Sequence, residues 1–229
     1  LNRRIALLSL TLLLGAATAQ AKDKPLPGDG DYRKALPFLD KAAEQIAGME
    51  KAREAGKSPA EAAKPFSATL SKNLNQAIPL LNQAAAQKHP VAEYRLAQVL
   101  ADFAQDAKSQ QRACELLGDS LKQGFAPAAL ELETLCPEQA KRAQFLQQAE
   151  AAARSGRYAK YFPQPSHALG WCSAKREMTL NATLGGLRDY QADIYLMLST
   201  KVPAAKRDGY RQRAAEKGCA LAQPSQPAN

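Results

Sequence analysis

A motif that returns at a near-constant interval constrains this chain more than any other feature. Ala35-Leu-Pro-Phe-Leu-Asp-Lys-Ala-Ala-Glu-Gln45 and Ala77-Ile-Pro-Leu-Leu-Asn-Gln-Ala-Ala-Ala-Gln87 share the pattern A-[LI]-P-[FL]-L-x-x-A-A-x-Q, offset by 42 residues. A third copy, Ala113-Cys-Glu-Leu-Leu-Gly-Asp-Ser-Leu-Lys-Gln123, begins 36 residues after the second. The last copy starts at Tyr210 and reaches Ala222, and a weaker one runs from Arg142 to Glu150. Intervals of this size mark stacked helix pairs, because one pair cannot bury its own apolar face.

Within each copy, two apolar residues are followed four positions on by small ones, which makes one stripe of a helix. Ala42/Ala43, Ala84/Ala85 and Ala214/Ala215 let a neighbouring helix come close. Gly124 and Gly218 are placed to stop the first helix of a pair. Ala92, Ala128 and Ala222 then open the second on a small residue. Pro37 and Pro79 are expected in the first turn or two, where proline is tolerated. The composition agrees: 46 Ala and 30 Leu among 229 residues, with only 6% aromatics, favour close-packed helices over a β-sandwich or barrel. The expected fold is all-α, an α/α superhelix of antiparallel helix pairs.

The residues Ile78-Pro-Leu-Leu-x-x-Ala-Ala-x-Gln-Lys-His-x-x-Ala-x-Tyr-x-Leu-Ala97 and Tyr210-x-x-x-Ala-Ala-Glu-Lys-Gly-Cys-Ala-x-Ala-Gln223 resemble the Sel1-like repeat family, relatives of tetratricopeptide repeats. The chain departs from that pattern where it lacks glycine at Lys88 and a glycine-rich turn around Ala101–Lys108. The resemblance implies a solenoid that acts as an adaptor for protein partners in envelope complexes. It carries over no binding residues.

Residues 1–21 read as a signal peptide: Arg3 and Arg4 precede an apolar run from Ile5 to Leu14, and Ala19-Gln20-Ala21 fits signal peptidase cleavage. The product is then expected in the periplasm or secreted, and not spanning a membrane. Residues 22–31 read as a flexible lead, 32–223 as the helical-repeat domain, and 224–229 as a disordered tail. Gln45–Asn75 interrupts the repeat with turns near Gly56–Pro59 and Lys64-Pro65. An aromatic loop occupies about 157–172. Ser173–Leu184 and Leu187–Thr200 are expected to be helical, with Asp193–Leu198 buried.

Export permits disulfides. Four cysteines allow three pairings. Cys114 and Cys136 stand about equally far from the turn near Gly124–Ala126, which sets them level in an antiparallel hairpin. That spacing favours Cys114–Cys136, and by elimination Cys172–Cys219. Four buried free thiols are the alternative. No C-x-x-C supports redox chemistry.

The sequence contains no H-E-x-x-H, G-x-S-x-G, Walker A or G-x-G-x-x-G motif. No catalytic residue, cofactor or metal site is expected; four Cys and two His make a zinc site improbable. His89 reads as an ordinary turn histidine. Glu131/Glu133 and Asp189/Asp193 are expected to face water or pair with Lys and Arg. The expected function is non-enzymatic binding of a protein or peptide partner, with Tyr158, Tyr161, Phe162, His167 and Trp171 of the aromatic loop and Arg207 and Arg211 of the basic C-terminal helix as candidate contacts. The net charge of +9, reduced by two if Arg3 and Arg4 are removed, supports the alternative of an anionic envelope glycan or lipid. A third possibility is a cell-wall or β-lactam hydrolase, implied only by some disulfide-linked relatives. Nucleic acid is not expected, since no aromatic platform is interleaved with the basic residues.

Overall fold

A computed structural model describes residues 25–104, 106–172 and 183–222. The targeting segment and the tail lie outside the described residues, as does most of the expected helix Ser173–Leu184. Thr183 and Leu184, its last residues, instead lie in a short strand.

The fold is mostly helical. Helices α1 (Asp29–Glu54), α2 (Pro59–Ala63), α3 (Ser67–Ala86), α4 (Pro90–Phe103), α5 (Ala107–Lys122), α6 (Pro127–Leu135), α7 (Pro137–Ala140), α8 (Ala143–Arg154), α9 (Leu187–Lys201) and α10 (Ala204–Glu216) follow in order. Strands β1 (Gln164–Ser166) and β2 (Thr183–Gly185) pair antiparallel, with Pro165 opposite Leu184. Long helices pack against their neighbours in sequence: α1 on α3, α3 on α4, α4 on α5, α5 on α6, α8 on α9, and α9 on α10. In addition α4 touches α6, α6 touches α9, and α5 touches α8.

The repeat explains this packing. Its first, fifth and eighth positions are buried in each of the first three copies: Ala35, Leu39 and Ala42; Ala77, Leu81 and Ala84; Ala113, Leu117 and Ser120. Positions i, i+4 and i+7 share one helix face. The eighth residue is always small, and neighbours use the space. A Cβ on Gly28 would come within 2.9 Å of the Ala84 backbone. The Ser120 hydroxyl donates to the Pro90 carbonyl at 2.8 Å. Ala43 is exposed, so only the first alanine of that pair packs.

Three copies also end alike. Gly124 donates to the Leu121 carbonyl while Phe125 donates to Ser120; Gly218 and Cys219 do the same to Ala215 and Ala214, and Lys88 and His89 to Ala85 and Ala84. Each is a Schellman cap, which needs a left-handed residue at its corner. Gly124 and Gly218 supply it with φ of 87° and 102°, while Lys88 adopts φ 61° despite its side chain. The residue after each corner, His89, Phe125 or Cys219, turns fully inward.

Three expectations are corrected. Residues 29–31 are not flexible lead but the first turn of α1, held because Asp29 is buried against His89 and Tyr161. Pro37 and Pro79 lie in helix interiors, because α1 and α3 extend well before the motif. Each lacks the amide hydrogen that would bond the carbonyl four residues earlier. Finally, Ala222 does not open a second helix among the described residues but lies in a short 3-10 turn, Ala220–Ala222.

Lys88→Gly should stabilise the protein by about 1 kcal/mol in urea unfolding, because glycine removes the left-handed penalty. The exposed ion pair it gives up, Lys88–Asp119 at 3.5 Å, contributes little. Gly124→Ala should cost a similar amount, and a neutral Lys88→Gly would contradict this account.

Candidate functional site

The aromatic loop is where the chain's polar chemistry converges. After α8 it runs through a 3-10 turn (Ala159–Tyr161) and β1, and ends at Cys172. The loop lies as a strap across side chains of α1, α4, α6 and α9.

Its first anchor is Tyr158, whose hydroxyl donates to the Gln123 carbonyl at 2.9 Å. Gln123 in turn donates its amide to Glu93 at 2.6 Å. Burial, reinforced by nearby Asp119 and opposed by Lys88 and Arg112, pushes the Glu93 carboxyl up to about 7.

The second anchor is Tyr161, which donates to Asp29 at 2.8 Å. Its ring meets Tyr32 and His89 edge-on, while Tyr32 and His89 stack at 4.8 Å. Burial acts to raise the Asp29 carboxyl, but Tyr161, His89 and Arg33 outweigh it and hold the group below its ordinary value. His89 Nδ1 accepts from the Ala92 amide at 3.2 Å and caps α4, while Nε2 faces Asp29 at 3.5 Å. With Nε2 facing Asp29, the one lone pair of neutral His89, on Nδ1, is committed to the helix cap. It is the structural turn histidine expected.

The third anchor reads the strap's main chain. Tyr190 donates to the Gln164 carbonyl at 2.9 Å. Tyr94 and Gln98 both donate to the Pro165 carbonyl, at 2.6 and 2.9 Å. Glu131, 0% exposed, accepts from the His167 amide at 3.1 Å. Asp193, 2% exposed, accepts from the backbone amides of Gly170, Trp171 and Cys172 at 2.5–2.9 Å. Glu131 and Asp193 therefore do not face water as expected, although Glu133 does pair with Lys201 and Asp189 caps α9.

These contacts reassign the expected loop residues. Tyr158 is buried, and Tyr161 and Phe162 are half-buried. The two hydroxyls are used internally, and Phe162 packs between Phe125 and Tyr190. His167 is exposed and lies 3.6 Å from Asp102. Burial lifts the Asp102 carboxyl, with Glu131 adding to that and His167 opposing it. Trp171 is 36% exposed. Arg207 and Arg211 are exposed on α10 and form no ion pair with any described residue. Both disulfides join as expected, Cys114 to Cys136 with Cα atoms 5.8 Å apart and Cys172 to Cys219 at 4.4 Å.

What the sequence reading missed is an open cleft of about 730 Å³ between α5, α7 and α8. Leu121, Leu132, Phe145 and the Cys114–Cys136 disulfide form its apolar base. Its rim includes Gln139, Arg142, Gln144 and Gln148. None of these four side chains hydrogen-bonds or ion-pairs with a described residue. The spacing Arg142, Gln144, Gln148 at the weak fourth copy was the available signal, since it leaves polar groups on the side of α8 flanking Phe145.

The cleft is built by short local rules. Cys136 ends α6 and begins α7, and Pro137 at the first position of α7 forces the corner. The disulfide ties that corner to α5. Among the described residues no group of three or more His, Cys, Asp or Glu could hold a metal ion. No family model matches the chain, and neither a curated protein nor a solved structure matches it.

Because the folded state lifts the Glu93 pKa above its ordinary 4.5, the folded chain binds a proton there that the unfolded chain releases. Stability should therefore fall as pH rises from about 4.5 to about 7, by roughly 3 kcal/mol, and stay lower above that. Glu93→Gln should flatten this slope and be the more stable form at pH 8, read by urea unfolding at pH 5 and pH 8. Asp193→Asn should cost about 2–3 kcal/mol, because one of its two acceptor oxygens becomes a donor facing backbone amides.

Proposed function

We propose that the chain is a non-enzymatic adaptor of the bacterial envelope, a Sel1-like helical-repeat module that holds a protein or peptide partner in the cleft between α5, α7 and α8. The observation that carries this reading is the cleft's lining: an apolar base under a rim of side-chain amides that make no bond within the described residues. Buried groups are normally satisfied internally, whereas unpaired donors and acceptors around an apolar base are the make-up of a recognition surface.

Several features support the setting. The two disulfides fit an oxidising, extracytoplasmic compartment. No helix among the described residues is long and apolar enough to cross a membrane. The leader-like residues 1–21 fit export, and the recurring helix pairs with identical caps fit a repeat array. Against an enzyme stands the use of His89: its ring is committed to a helix cap and a carboxylate, which leaves no general base there.

A second reading has its own observation. Arg207 and Arg211, one turn apart on α10, are exposed without ion pairs to described residues, which suits an anionic glycan or lipid headgroup.

A photocrosslinking residue at Gln144 should capture a partner in intact cells, while the same residue at Arg207 should not. Gln144→Ala with Gln148→Ala should reduce partner recovery at least about tenfold while shifting the melting temperature by no more than about 2 °C. Capture at Arg207 alone, with steep loss in salt, would favour the polyanion instead. Hydrolysis of nitrocefin or peptidoglycan by the purified protein would overturn the adaptor reading.

A further inference from the structure

The strap's first anchor rests on a carboxyl that is badly placed to carry a charge. Glu93, in the first turn of α4, is 1% exposed. The two cations that act on it are paired elsewhere, Lys88 with Asp119 and Arg112 with Glu115, each at 3.5 Å. Asp119 adds a like charge. Among the described residues no Lys or Arg forms an ion pair with Glu93. What meets it is the neutral side-chain amide of Gln123, at 2.6 Å.

The same residue ties down the strap. Gln123 caps the C-terminus of α5, and its carbonyl accepts from the Tyr158 hydroxyl at 2.9 Å. Tyr158 is itself buried, edge-on to Phe125, and senses the charge of Glu93 as well as that of Arg157. A neutral carboxylic acid suits this setting. A carboxylate does not, because one amide donor is a poor replacement for water. Gln123 is half-buried, so it is the bonded neighbour of Glu93 that touches solvent. Hydrating an ionised Glu93 displaces the Gln123 amide, at the very residue where Tyr158 is tied.

The far part of the strap leans the same way. His167 meets Asp102 of α4 at 3.6 Å, and this is an ion pair only while the ring is protonated. Burial and Glu131 both act against the charge on Asp102. The anchor between them differs, since Tyr161, His89 and Arg33 favour the charged form of Asp29. That contact keeps its charge as the pH rises.

We propose that the strap is a proton-operated latch, seated while Glu93 is protonated and loosened at its Tyr158 end when Glu93 ionises, with the Tyr161–Asp29 contact kept. The sign follows from linkage: the seated form holds the proton more tightly than the loosened form, so raising the pH favours loosening. Burial carries Glu93 up to about 7, which places the change between pH 5 and pH 8.

The test is amide hydrogen exchange of the full oxidised protein at pH 5 and pH 8, each rate divided by that of an unstructured peptide of the same sequence at the same pH. The reporters are the amides of Ala159 and Tyr161, which bond the carbonyls of Gly156 and Tyr158. Leu117 and Ile194, buried in α5 and α9, report opening of the core. The opening of Ala159 and Tyr161 should rise at least about tenfold between the two pH values and exceed that of the core amides at both. In Glu93→Gln the rise should be less than about twofold. No rise, an equal rise in Glu93→Gln, or strap and core amides opening equally at both pH values overturns the latch; the last result means that Glu93 acts only on unfolding of the whole chain. A readout that needs no variant is the 13C shift of the Glu93 carboxyl, which should titrate well above the ordinary 4.5. Titration at 4.5 overturns the latch as well.

Discussion

The structure depends on a set of buried carboxylates and tyrosines that read the backbone of one irregular segment. A strap without helical hydrogen bonds exposes its own amides and carbonyls, and burying it is affordable only where those groups are met. Here Tyr190, Tyr94 and Gln98 meet the carbonyls of Gln164 and Pro165, while Glu131 and Asp193 meet the amides of His167 and Gly170–Cys172. These side chains come from three helices, and Tyr161 adds a fourth through Asp29. The strap therefore joins α1 to α9. The Cys172–Cys219 bond fastens its far end to the cap of α10. By the chain-entropy estimate each disulfide contributes about 3–4 kcal/mol by restricting the unfolded chain.

The helices and their caps were legible because their signal is local. Positions such as Ala35, Leu39 and Ala42 recur at helical spacing, and Gly124 and Gly218 sit where left-handed corners are needed. The disulfide pairing was legible for a related reason: two residues equidistant from a turn must lie level in an antiparallel hairpin. Lys88 shows the limit of pattern reading. Its cap is retained without glycine, because the inward turn of His89 and the Schellman bonds hold the corner.

The strap was not legible, and the cause is physical. Its aromatics look like a contact surface when sequence neighbours alone are considered. Their burial depends on partners 35 to 132 residues away, as Tyr158–Gln123 and Tyr161–Asp29 show. The same holds for Glu131 and Asp193. A carboxylate at helical spacing reads as solvated unless something brings backbone amides to it, and no short-range feature announces that. The cleft was missed for the converse reason, since Gln139, Gln144 and Gln148 look like ordinary surface residues until α7 turns the corner beside them.

The strap and the cleft together constrain where a partner can sit. The strap's own main chain occupies side-chain donors and acceptors of α4, α6 and α9, so that face is already satisfied internally. A partner competing for it would have to replace bonds as short as 2.6 Å and displace a segment anchored at both ends. The cleft makes no such demand. Gln144, Gln148 and Arg142 lose only water when a ligand arrives, and the apolar base gains by being covered. On the proposed reading, a partner sits where polar groups are left unpaired, on α7 and α8, and not along the face that the protein's own loop has closed.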